Sequence, residues 1–207
     1  NAIMVVTEPI ATAYGIGEYN GTICDDIGAG TTDIARLYGI FPTDEDQVTI
    51  QEAGDWIDMQ LMTLVQKKFT GAQVTKDMVR KWKEEYSYVD GEDRVQMVEL
   101  SVEGKKQEVD VGDLIKSACS MIVGHVGGAI KSIIATADPE YQPTFRNNII
   151  LSGGGSLIGG IADAIANEIS DIGDVTVTCV DDPIEKVATG AMALAQDMPD
   201  EQYTSIN

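Results

Sequence analysis

Within the run Cys24-Asp25-Asp26-Ile27-Gly28-Ala29-Gly30-Thr31-Thr32-Asp33, acids bracket a glycine turn and two hydroxyls. Such a set suits a phosphate chain and its metal ion. Glycine lets a backbone N–H come close to a phosphate oxygen, threonine adds a hydroxyl donor, and aspartate takes Mg²⁺ or its waters. A tight turn with solvated aspartates would carry the same residues, so the reading needs support from elsewhere in the chain. Two distant segments supply it. Val5-Val6-Thr7-Glu8-Pro9-Ile10-Ala11 places an acid at a strand end and a proline at the start of a small-residue helix, and Asn148-Ile149-Ile150-Leu151-Ser152-Gly153-Gly154-Gly155-Ser156 is an apolar strand running into three glycines. A helix read from about Leu157 would aim backbone N–H groups at a ligand.

The elements that must position these groups follow from pattern. Strand-like runs at about 22–27, 33–40 and 46–51, separated by Gly-Ala-Gly and by Phe41-Pro42-Thr43-Asp44, predict a meander, so the phosphate turn joins two strands. That excludes a Walker A loop, which needs Gly-Lys-Ser/Thr, and a dinucleotide fingerprint, which opens a helix. Ile57, Leu61, Leu64 and Val65, then Met78, Val79 and Trp82, recur at helical spacing. A hairpin is expected near 95–100 and 107–111, and Asp113 is expected to cap a long helix with a stripe of Leu114, Ala118, Ile122, Val126, Ile130 and Ile133. Two strand–helix units, at 149–152 with 157–168 and at 175–180 with 184–197, finish the chain, and the polar tail from Pro199 reads as mobile. Alternation along the strand turns Asp25 to the opposite face from Asp26.

Taken in order, the strand–acid–helix segment, Asp-Ile-Gly-Ala-Gly-Thr-Thr-Asp and Ser-Gly-Gly-Gly-Ser resemble the actin, Hsp70 and sugar-kinase ATPase superfamily over nearly the whole chain. Asp182-Pro183 with Val187-Ala188-Thr189-Gly190 is similar to that family's second hinge segment. No Asp-x-Gly-Thr/Ser first phosphate loop precedes the hinge, and residue 1 is Asn, so the resemblance implies a C-terminal half, lobe II. It implies an α/β fold: an RNase H-like subdomain IIA from 1–54 and 113–207, with a small subdomain IIB inserted at 55–112. Glu8 and Gly54-Asp55-Trp56-Ile57-Asp58 resemble the bacterial cell-shape actins of the MreB branch. Glu45-Asp46-Gln47-Val48-Thr49, Pro139-Glu140-Tyr141-Gln142, Asn148-Ile149 and Val177-Thr178-Cys179-Val180 with Asp182-Pro183 resemble more closely the magnetosome filament actins, the MamK branch.

The resemblance implies roles. Glu8 would position the attacking water or act as general base. Asp26 would stand near Mg²⁺ and its waters, with Asp33 behind it. Gly28, Ala29, Gly30, Thr31 and Thr32 would hold the β- and γ-phosphates. Gly153, Gly154, Gly155 and Ser156 would approach the adenosine. Many family members carry Ala-Glu-x-Ile-Lys in subdomain IIB, whose acid holds the ribose and whose lysine flanks the base. Here Val79-Arg80-Lys81-Trp82-Lys83 keeps the lysine as Lys83 but has Arg80 in place of the ribose-holding acid. The implied whole protein binds ATP and ADP with Mg²⁺, hydrolyses ATP, and polymerises with copies of itself in the bacterial cytoplasm. Its MamK branch would organise magnetosomes with adaptor proteins. An MreB-type cell-shape actin, or a non-polymerising Hsp70-like or sugar-kinase-like ATPase, is the alternative on the same fold. The segment alone, lacking the N-terminal lobe, is expected to have weak or no ATPase activity.

Composition narrows the partners. A formal charge of −20 over 207 residues opposes binding to nucleic acid or to an anionic membrane surface. No run of eighteen apolar residues and no signal peptide is read, so no membrane insertion is expected. Cys24, Cys119 and Cys179 lack metal or CxxC spacing and read as reduced core residues. His125, the single histidine, has no ligand at metal spacing and reads as structural, packed or half-exposed. Asp55 and Asp58 read as a helix cap and a surface acid, with Asp55 kept as a further candidate because Gly54-Asp55 recurs near the family's cleft.

Overall fold

The structure, a computed structural model, describes residues 2–3, 5–39, 42–199 and 204–205. In chain order its regular elements are β1 (Ala2–Ile3), α1 (Glu8–Ile16), β2 (Asn20–Ile27), β3 (Thr32–Tyr38), β4 (Gln47–Ile50), α2 (Gly54–Lys68), β5 (Ala72–Gln73), α3 (Lys76–Tyr86), β6 (Met97–Val102), β7 (Lys105–Asp110), α4 (Gly112–Ala135), α5 (Gln142–Arg146), β8 (Ile149–Ser152), α6 (Ile161–Glu168), β9 (Val177–Cys179), α7 (Lys186–Asp197) and β10 (Thr204–Ser205).

Strand β2 lies at the centre of a five-stranded sheet in the order β4-β3-β2-β8-β9. The first three strands form the expected antiparallel meander, and β8 and β9 add to it in parallel. A central strand covered on both faces is mostly apolar or small, and β2 is buried from Gly21 to Ile27, with Asp25 and Asp26 as the two acids within it. On one face Cys24, Ala35 and Leu37 pack against Ile10 and Ala13 of α1. On the other, Ile23, Ile27, Ile34, Ile149 and Leu151 meet the stripe of α4, whose Ile115, Ile122, Val126 and Ile130 are fully buried. Each such side chain contributes about 1.5–3 kcal/mol through removal from water. By length and composition α4 could cross a membrane, with a mean hydropathy of 1.5. Half of that window is buried inside the protein, which makes it a core helix.

Helix α1 begins with Glu8 and Pro9, where a missing N–H costs nothing, and ends at Gly17, whose left-handed φ of 76° lets its N–H reach the carbonyls of Ala13 and Tyr14. It returns through a short turn into β2, so its N-terminus stands over the C-terminal end of that strand. Helix α7 crosses α1 at two glycines. A Cβ on Gly15 would lie 2.8 Å from Gly190 Cα, and one on Gly190 would collide with the Ala11 carbonyl.

A second sheet, β5-β6-β7, takes its first strand from between α2 and α3 and its other two from between α3 and α4. Helix α2 runs antiparallel to α4: Lys68 meets Asp113 at 2.8 Å near one end and Trp56 meets His125 edge-on near the other. Strand β5 was not foreseen, being two residues long. Asp113 does not cap α4. It pairs with Lys68, while Asp110 Oδ1 accepts from Gly112 N–H at 3.0 Å and Gln96 N–H at 2.8 Å. After the three glycines comes a 3-10 turn at Gly154–Leu157, and the α-helix starts only at Ile161 because Gly160 first breaks the chain with φ 78°. The short helix α5 was also unforeseen. Ile40 and Phe41, expected to end the second strand and open the next turn, lie outside the described residues, as do 200–203 and 206–207 of the tail. Thr204–Ser205, expected to be mobile, pairs antiparallel with Ala2–Ile3.

Candidate nucleotide site

Register across the sheet assembles the site. Thr49 opposes Asp33, Asp33 opposes Asp26, and Asp26 opposes Ser152, so four strands contribute one polar row on the α1 face. Each of its two acids takes donors from its outer side. Thr49 Oγ1 donates to Asp33 Oδ1 at 2.5 Å, Thr31 Oγ1 donates to Asp33 Oδ2 at 2.7 Å, and Ser152 Oγ donates to Asp26 Oδ2 at 2.6 Å. Burial pushes the Asp26 carboxyl above its ordinary value. The Ser152 hydrogen bond pulls against it, and the charges of Glu8 and Asp33 push it further up. Glu8 is exposed at the first turn of α1, which starts over the C-terminal end of β2, on the same side of the sheet as Asp26.

The turn between β2 and β3 closes by Gly28 N–H donating to Thr31 O at 3.0 Å. Its carbonyls point backwards: Gly54 N–H donates to Gly28 O at 3.0 Å and Asp55 N–H to Ala29 O at 2.7 Å. Among the described residues, no backbone acceptor takes the N–H groups of Ala29, Gly30 and Thr31, and a Cβ on Gly30 would meet open space. Consecutive free amides at an exposed turn form an anion-binding concavity. Thr32 does not join them. It is fully buried and its hydroxyl donates to Glu52 O at 2.7 Å, which anchors the turn to the segment before α2.

The second glycine turn packs directly on the first strand. Gly153 adopts φ 73°, and a Cβ there would stand 2.6 Å from both Asp26 Oδ1 and the Ile27 carbonyl; one on Gly155 would overlap the Ile27 side chain. Gly154 alone is exposed, with open space above it. Ser156 is buried and its hydroxyl donates inward to Gly153 O at 2.8 Å, so it braces the turn. Glu8, Asp26, the Gly28–Thr31 turn and the Gly153–Gly155 turn therefore share one wall.

Lys83 lies behind the phosphate turn. Its ammonium donates to Gly54 O at 2.7 Å and pairs with Asp58 Oδ1 at 2.7 Å. Arg80 reaches Asp55 at 2.9 Å and Asp58 at 3.3 Å, and Lys76 reaches Asp55 at 2.9 Å. Asp58, expected on the surface, is fully buried at the centre of this network. Asp55 is no cap either: Ala53 holds that position without a side-chain bond. Sequence reasoning missed the network because its five charges come from two helices whose docking no local pattern reports.

A metal ion finds no direct cage here, since no group of three His, Cys, Asp or Glu side chains stands at ligand distance among the described residues. That donor set fits Mg²⁺, which keeps several waters and binds through one or two carboxylates together with phosphate oxygens. Among the described residues Asp26 Oδ1 has no hydrogen-bond donor, whereas each Asp33 oxygen already holds one. Burial raises Cys24 and pushes Cys119 up to about 12, so neither thiol is a nucleophile at neutral pH. Cys179, expected in the core, is exposed on the edge strand β9.

The protein-family model described as MreB/Mbl protein matches residues 1–203. The chain belongs to the MreB/Mbl family. Within it, this member is 35% identical over 203 residues to the actin-like protein MamK of Paramagnetospirillum magneticum, covering 98% of this chain and 58% of that protein. It is 26% identical to the cell shape-determining protein Mbl of Bacillus subtilis, covering 92% of this chain and 58% of that one. The solved MamK double helical filament superposes with a TM-score of 0.90 at 36% identity, covering 94% of this chain and 60% of that one. The fold is therefore actin-like, and the chain spans somewhat over half the length of the relatives it matches.

Proposed function

We propose that this chain is the second lobe of a bacterial actin that binds ATP and ADP, hydrolyses ATP, and polymerises with copies of itself, with IIA at 1–54 and 113–207 and IIB at 55–112. The observation that carries the reading is the junction of three free amides, Ala29 to Thr31, with Asp26 and Glu8 on one wall. The amides accept the phosphate charge, and Gly154 offers the open edge on which an adenosine can lie. Glu8, exposed at the first turn of α1, is placed to orient a water, while Asp26 holds metal-bound water through its free oxygen. Mg²⁺ would neutralise phosphate charge there; most of the acceleration in such reactions is position and electrostatics. Similarity to a MamK filament, and to a MamK mutant bound to AMPPNP, supports both nucleotide binding and self-assembly. Organisation of magnetosomes in the cytoplasm, through adaptor proteins, is the role that follows from the greater likeness to MamK than to Mbl.

Sedimentation of the polypeptide carrying both lobes tests the proposal. With ATP, Mg²⁺ and potassium it pellets above a critical concentration, and Glu8→Gln retains nucleotide while turnover falls about 100-fold, the contribution of one positioned acid–base group. Protein that stays in the supernatant at every salt concentration refutes the filament reading.

A further inference from the structure

The family resemblance assigns the Lys83 position to the base, but the ammonium is spent elsewhere. It is 13% exposed and directed at Gly54 O and at the buried Asp58. Gly54 stands between this lysine and the phosphate turn: a Cβ there would lie 3.2 Å from Gly28 O and 3.3 Å from Lys83 Nζ. The first two amides of α2, those of Gly54 and Asp55, hold the carbonyls of Gly28 and Ala29. A peptide unit is planar, so fixing those carbonyls on one side of the turn fixes the next amides, of Ala29 and Gly30, on the other.

We infer that Lys83 is a positioning residue for the phosphate turn, acting through Gly54 to keep the turn's N–H groups facing a polyphosphate. The second contribution is charge. Lys76, Arg80 and Lys83 against Asp55 and Asp58 leave this cluster with one net positive charge in a chain of −20, directly behind a site whose visible wall carries Glu8, Asp26 and Asp33. A nucleoside di- or triphosphate gains from both effects; a nucleoside without phosphates gains from neither. A lysine that merely flanks the base would favour all three equally.

The inference rests on the nucleotide-site reading, and the experiment separates the two. Amide exchange is measured on nucleotide-free protein for the wild type, for Lys83→Met, for the double variant Asp58→Asn with Lys83→Met, which leaves no buried charge unpaired, and for Lys83→Arg. Loss of a charge-assisted hydrogen bond predicts exchange about tenfold faster at Gly54 and Asp55 in both methionine variants, with the amides of β2 unchanged and partial return in Lys83→Arg. Binding of ADP then weakens about tenfold while adenosine shifts by less than about twofold. Unchanged exchange at Gly54 and Asp55, wild-type protection restored in the double variant, or equal losses for ADP and adenosine overturns the assignment. The exchange result stands whether or not the wild type binds nucleotide, and a wild type that binds none refutes the site reading instead.

Discussion

Asp25 invites the most direct perturbation of this fold. It sits one residue before Asp26 on β2, so it faces the opposite side of the sheet, between Ile34 of β3 and Leu151 of β8 in register. It is fully buried, and neither carboxylate oxygen has a hydrogen-bond partner among the described residues. Burial, followed by the charges of Asp26 and Asp33, pushes its carboxyl well above the ordinary value. A neutral polar group buried without a partner costs about 1–3 kcal/mol. Keeping the acid protonated adds about 1.4 kcal/mol for each pH unit above the unfolded value at which folding must take up that proton. Replacement by valine removes both costs and extends the apolar row, so Asp25→Val is expected to stabilise the chain by at least about 2 kcal/mol at pH 7. The sign with pH follows. At Asp25 the folded state binds more protons than the unfolded one between the two titrations, so this residue's contribution to wild-type stability falls as pH rises from about 4, and the gap to the variant widens towards neutrality. Urea unfolding followed by circular dichroism at pH 4, 5.5 and 7 reads both effects. A variant no more stable than the wild type at pH 7, or a gap that stays constant across that range, refutes the account of Asp25 as an unpaired buried acid.

Other sites give sharper local tests. Gly190→Ala forces a methyl into the Ala11 carbonyl, and relieving it by separating α1 from α7 is expected to cost about 1–3 kcal/mol; an unchanged melting temperature would show that the crossing is looser than described. Ser152→Ala removes the hydrogen bond that opposes the rise of Asp26. Its carboxyl should then titrate higher, moving the acidic limb of nucleotide binding to higher pH, and a limb that stays in place argues that Asp26 does not govern it. Gly153→Ala combines a strained φ with a methyl against Asp26 Oδ1, and should weaken ATP binding at least tenfold, the scale of a 1–3 kcal/mol strain; calorimetry with unaltered affinity would place the nucleotide elsewhere.

Much of the site could be read along the chain because its parts are local. A glycine turn between two apolar strands, an acid before a proline-started helix, and an apolar strand running into three glycines each declare themselves within ten residues, through rules of backbone freedom and alternation that need no tertiary partner. Order along the chain then pointed to the actin-like architecture. Other assignments failed where the deciding partner is remote. Asp58 looks like a surface acid on an amphipathic helix until α3 docks and covers it with Arg80 and Lys83. Thr32 looks like a phosphate ligand until the Glu52 carbonyl claims its hydroxyl. Cys179 lies on a strand that has no neighbour on its outer edge among the described residues, which no three-residue pattern announces. What the amino-acid order settled by itself was which backbone could approach an anion and which faces would be buried. Tertiary packing alone decided which carboxylate keeps a free oxygen, which lysine faces a carbonyl in place of a ligand, and that Asp25 would be enclosed without a partner. Burial and pairing are set by residues from 20 to 126 positions apart, and those contacts exist only once the helices dock and the sheet has closed.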